Sequence, residues 1–174
     1  PLQLLITAIC VGTGVGVNTV MAKLYGLKEF RRAEAVAGVG TLLIILSWLI
    51  FALLSLFWMP AYVRLSTDSP AVIADAVLYG KIVCVGSLGI FCEGVWTKVH
   101  QAGGNMKIPM AAQICGALLN IVLDPVLIFG FAGIPPMGIA GAAVATVLGQ
   151  VTAAIITGIH GFRAPPPLSS ARRY

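Results

Sequence analysis

Asp124 is the residue best suited to do chemistry. It stands in a long apolar stretch, residues 108–131, with no other charge near it. A carboxylate at mid-membrane costs about 2.5 to 3.5 kcal/mol even on the lenient insertion scale, so it persists where it meets a partner or a water-filled cavity. Asn120 comes one helical turn earlier, which puts an amide and a carboxyl on one helix face. Pro125 follows; without an N–H it leaves the Ile121 carbonyl without its helical donor and kinks the helix. Carboxylate, amide oxygen and bare carbonyl are oxygen ligands that a small cation or a shuttling proton would use. The competing reading is a hydrated acid capping a kinked helix at the membrane rim, and Asn120 on the same face argues against it. Glu93 is a secondary polar candidate, with Thr97 one turn later on its face and Lys98 and Lys107 near enough to neutralise it at an interface. Asn18 and Gln150 read as hydrogen bonds between helices. His100 and His160 fall at the ends of apolar stretches, in no metal-binding spacing, and are expected at the interface.

The elements that hold these residues follow from composition. Of 174 residues, 59% are hydrophobic and 10% charged, with a mean hydropathy of +0.98. A soluble domain carries about a quarter charged residues, so the solvent for most of this chain is lipid. Spanning the hydrocarbon takes about 20 apolar residues. Five such stretches occur, at about 2–21, 35–59, 76–96, 108–131 and 137–159, separated by short polar or Pro/Gly-rich connectors. The fold class is therefore all-α, a polytopic bundle of five transmembrane helices occupying residues 1–160, followed by a Pro-rich basic tail over 161–174. Gly12 and Gly16 form a GxxxG pair, and Gly138, Ala142, Thr146 and Gly141, Ala145, Gly149 form two small-residue stripes that let helices approach closely. Cys10, Cys84, Cys92 and Cys115 form no CxxC pair and read as small apolar residues.

The net charge of +5 does not point to nucleic acid, because the basic residues form no stripe interleaved with aromatics. Alternating spans put nine of the eleven, Lys23, Lys28, Arg31, Arg32, Lys98, Lys107, Arg163, Arg172 and Arg173, on one side of the membrane. Arg64 falls on the other, and Lys81, one turn inside the third stretch, snorkels outward. The basic side is cytoplasmic, the tail included. The first span then starts outside with no signal peptide before it, so at least one upstream span is expected in a longer parent chain. The short loops favour a bacterial inner membrane.

Much chemistry has no motif here. There is no aspartate pair, HExxH or GxSxG for intramembrane proteolysis, no GxxxxGK[ST] phosphate loop and no TVGYG filter. No cofactor is expected, and the reading is a secondary transporter rather than an enzyme.

The run Asn120-Ile-Val-Leu-Asp124-Pro125, followed by Met137-Gly-Ile-Ala-Gly141 through Thr146 to Gln150, closely resembles the fifth and sixth helices of the multidrug and toxic compound extrusion (MATE) family. Gln101-Ala-Gly-Gly-Asn105 with Pro109 is similar to that family's connector between helices four and five. Ala22-Lys-Leu-Tyr-Gly26 with Ala33-Glu34-Ala35 resembles its basic connector between helices two and three, and residues 12–18 its Gly-rich second helix. The resemblance implies helices two to six of the amino-terminal lobe of an antiporter that exports small organic, often cationic, molecules in exchange for Na⁺ or H⁺. It implies Asp124 and Asn120, with Thr146 as a third, at the coupling site. Helix one and its acidic residue, and the whole carboxy-terminal lobe, have no counterpart in this chain. A lipid or polysaccharide-precursor flippase of the same broad fold and a non-transporting scaffold remain as alternatives. A flippase calls for a strongly cationic cavity, and few basic residues lie at membrane depth.

Overall fold

The computed structural model describes residues 2–131 and 133–163. Six helices make up the described chain, with no strand among the described residues: α1 (Leu2–Gly26), α2 (Phe30–Arg64), α3 (Pro70–Gly86), α4 (Leu88–Ala102), α5 (Lys107–Phe129) and α6 (Ile139–Arg163). With α3 and α4 taken together, five segments are long and apolar enough to cross a membrane. The polytopic all-α bundle is therefore present.

Helices outrun the apolar stretches because caps and turns, not hydropathy alone, set their ends. Ser69 stands at the N-cap of α3 and Pro70 at its first position, where a missing N–H costs nothing. Helix α3 thus begins six residues before the apolar stretch, which leaves Lys81 about three turns in rather than one. Helix α2 continues through Pro60 to Arg64, and α6 runs to Arg163, into the region expected as tail. The remaining tail, 164–174, lies outside the described residues.

The third stretch is not one helix. It breaks at Gly86–Ser87, where Ser87 caps both sides and its backbone N–H reaches Cys84 O at 3.4 Å. A break strips helical donors from nearby carbonyls. The Trp48 indole of α2 supplies one, donating to Val85 O at 3.0 Å. Close packing on α6 accompanies the break: a Cβ on Gly86 would meet Val147, and one on Gly89 would lie 2.8 Å from the Val151 backbone nitrogen.

Helices α5 and α6 are the most intimate pair. A Cβ on Gly149 would come within 2.8 Å of Gly116 O, and one on Gly141 within 2.6 Å of Leu127 O. Of the two small-residue stripes on α6, the Gly141, Ala145, Gly149 register makes the contact. The expected GxxxG contact of α1 does not form among the described residues. Gly12 and Gly16 have nothing within 4 Å, and Gly14 between them packs on Gly94 and Lys98 of α4. The helix face turned toward α4 is set by Ile6, Cys10, Val17 and Met21, which are buried, and that register carries Gly14 inward.

Two connectors close with the same backbone device. At the end of α1, Glu29 N–H reaches Leu24 O at 2.9 Å and Lys28 N–H reaches Tyr25 O at 3.0 Å, with Lys28 left-handed at φ 58°. At the end of α4, Asn105 reaches His100 O and Gly104 reaches Gln101 O, both at 2.9 Å, with Gly104 at φ 79°. Both are Schellman closures. The Asn105 side chain then accepts from the Lys107 and Ile108 N–H groups and starts α5.

Candidate functional site

Helices α4 and α5 both pack on α6 and barely touch each other. Between them lies a cleft of about 280 Å³ floored by α6. Helix α4 contributes Glu93, α5 contributes Gln113 and Asn120, and α6 contributes Thr146 and Gln150. On α5 the two polar residues are seven apart, two turns on one face, and on α6 they are four apart, one turn. Gly116 and Gly149 let the floor come close without side chains filling the space.

Glu93 Oε1 accepts from Thr97 Oγ1 at 2.8 Å and from Gln113 Nε2 at 3.2 Å, so the carboxylate is tied to its own helix and, across the cleft, to α5. No side chain of the described residues pairs Glu93 with a lysine. Thr146 Oγ1 donates to Ala142 O at 3.0 Å, which spends its proton and leaves its lone pairs for a ligand. The side chains of Asn120 and Asp124 are half-buried and make no hydrogen bond to any described residue.

The structure thus brings Asn120, Thr146 and Glu93 to one cleft and leaves Asp124 outside its lining, one turn (about 6 Å) further along α5. Gln113 joins the site without having been singled out in the sequence. Its position seven residues before Asn120 was the available signal. Gln150 lines the cleft, and neither it nor Asn18 makes the helix-to-helix hydrogen bond expected of them.

His100 is a clear correction. It is 1% exposed, not interfacial, because α6 packs over the end of α4. Its Nε2 lies 2.9 Å from Thr157 O, and a carbonyl only accepts, so Nε2 carries the proton and donates. Its Nδ1 has no hydrogen-bond partner among the described residues. Among the described residues no group of His, Cys, Asp and Glu has the makeup of a metal centre.

With this arrangement in hand, the family model MatE matches residues 1–126. The chain belongs to the MatE family. A probable multidrug resistance protein of Bacillus subtilis is 28% identical over 177 residues, covering all of this chain and 38% of that protein. An FAD transporter of Shewanella oneidensis is 30% identical over 91% of this chain and 35% of its own length. A solved structure of MATE in the bent conformation superposes with a TM-score of 0.87 at 26% identity, over 95% of this chain and 37% of that one. This MatE chain therefore spans less than two-fifths of the length of these relatives.

Proposed function

We propose that this MatE chain is helices two to six of the amino-terminal lobe of a secondary antiporter that exports organic, often cationic, compounds in exchange for Na⁺ or H⁺. The observation that carries the reading is a polar cleft inside a lipid-embedded bundle. Its amide, hydroxyl and carboxylate groups converge from three helices, and a second, unpartnered acid stands one turn away. Groups so placed are expensive in a membrane unless they serve an ion or substrate path. The names of the relatives, multidrug resistance proteins and an FAD transporter, support export of small organic molecules.

In this reading Asp124 takes up the coupling ion, with the Asn120 amide oxygen and the Thr146 hydroxyl completing its oxygen shell. A carboxylate serves either ion: it binds a proton outright or shares a sodium ion with neutral oxygens. The substrate lies between this lobe and the carboxy-terminal lobe of the full-length parent, which the chain does not include. The setting is a bacterial inner membrane, with residues 161–174 on the cytoplasmic side, as the distribution of basic residues supports.

The test is Asp124→Asn in the full-length parent, assayed by dye efflux from energised vesicles under a sodium gradient and, separately, a proton gradient. Efflux driven by the coupling ion is expected to vanish while the amount of protein in the membrane is unchanged. Normal efflux would overturn the assignment, and loss of protein from the membrane would point to the scaffold role instead.

A further inference from the structure

The protons already committed in the α4–α5–α6 cleft restrict what can bind there. An ionised carboxylate only accepts, so Gln113 turns its Nε2 toward Glu93, 3.2 Å from Oε1. The Oε1 of Gln113 is then left without a donor among the described residues. Thr97 gives its hydroxyl proton to the same Glu93 oxygen at 2.8 Å, and Glu93 Oε2 stays open. On α6, Thr146 directs its proton to Ala142 O, 3.0 Å away, and lines the cleft with lone pairs alone. Glu93 Oε2, Gln113 Oε1 and Thr146 Oγ1 are all acceptors. The other two polar residues, Asn120 and Gln150, are amides that can turn either end inward.

The cross-cleft bond has a second consequence. Helices α4 and α5 barely touch, and Gln113 ties the Glu93 carboxylate to α5 across the gap between them. A cleft of about 280 Å³ is below the size that encloses a whole drug-sized molecule, so it takes a head group. We propose that this cleft is a subsite for a protonated amine, a cation that carries its own N–H donors, and that Gln113 is the positioning residue that orients Glu93 to receive it. Glu93 is ionised in this arrangement, and the ammonium donates to Glu93 Oε2, Gln113 Oε1 and the Thr146 hydroxyl oxygen. A quaternary ammonium brings the charge but no N–H; it strips water from these acceptors and leaves them unpaired, which lowers affinity. The proposal deepens the export reading by naming the class of cation, and rests on it only in taking the bound amine to be the exported compound.

Binding measured without any ion gradient tests it. Equilibrium dialysis of the purified full-length parent compares phenylbutylammonium with its trimethylated analogue, equal in charge and chain. The primary amine is expected to bind about tenfold more tightly, the contribution of one or two hydrogen bonds. Gln113 is exposed, and Gln113→Met keeps its length without its polar atoms. In that variant the preference is expected to fall to about twofold, whereas a merely structural role would weaken both ligands alike and leave the ratio unmoved. Equal affinity for the two ligands, or no saturable binding of either, would overturn the subsite. An unchanged ratio in Gln113→Met would overturn the role of Gln113. Normal efflux in Asp124→Asn would sink the coupling assignment and leave this binding preference as it stands.

Discussion

Glu93 uses Oε1 twice, for Thr97 and Gln113, and no described residue engages Oε2. Oε2 therefore still faces whatever enters the cleft. Glu93→Gln preserves an oxygen for both donors and removes only the charge. In the full-length parent the KM for a permanent cation is expected to rise about tenfold, from the loss of a charge-assisted contact, with little change for an uncharged substrate. Concentration dependence of efflux for a matched cationic and neutral pair measures this, and equal changes for both would show that Glu93 is structural. Glu93 was legible as a polar candidate because an acid in lipid has few uses, and the cleft includes it, whereas Asp124 lies outside the lining. His100 was not, because its place at the end of an apolar stretch looks the same whether the next helix covers it or not. The cover comes from α6, more than fifty residues away, through Thr157.

Hydropathy marks that a helix crosses; its neighbours decide how it is shaped. The five apolar stretches were visible from length alone, whereas residues 82–91 stay uncharged and mostly apolar through the Gly86–Ser87 break, so hydropathy does not mark it. The break fits α3 and α4 to Val147 and Val151 of α6, a tertiary cause. Glycine spacing misled for a related reason: GxxxG says that close approach is possible, and only the packed partner says which glycine is used. The contrast is testable by thermal unfolding of the purified full-length parent. Gly149→Ala puts a methyl within 2.8 Å of Gly116 O, a backbone atom that cannot swing aside, and is expected to cost about 1 to 3 kcal/mol. Gly12→Ala and Gly16→Ala meet nothing within 4 Å in this lobe and are expected to leave the midpoint unchanged or raised. Lys28→Gly is expected to raise it by the equivalent of about 1 kcal/mol, since Lys28 holds a left-handed conformation that penalises a Cβ.

At the scale of the whole bundle, the direction of the helices determines from which side Asp124 is reached. Asp124 lies nearer the Phe129 end of α5 than the Lys107 end. Basic residues flank the α1–α2 and α4–α5 connectors, so the proposed orientation puts those ends in the cytoplasm and the α2–α3 and α5–α6 connectors outside. In that orientation Asp124 is closer to the outside, the side from which the coupling ion of the proposed exporter would come. Cysteine labelling in intact cells checks the direction in the full-length parent. Cys10, Cys84 and Cys92 are buried, so replacing exposed Cys115 by Ala and any accessible cysteine outside this segment by Ser leaves a quiet background. A membrane-impermeant maleimide is expected to label Ser66→Cys and Ile134→Cys from outside, and Leu27→Cys and Met106→Cys only after permeabilisation. All four sites are exposed. The reverse pattern would turn the bundle over, put Asp124 near the cytoplasm and remove the geometric reason for assigning it the uptake of an inward-moving ion.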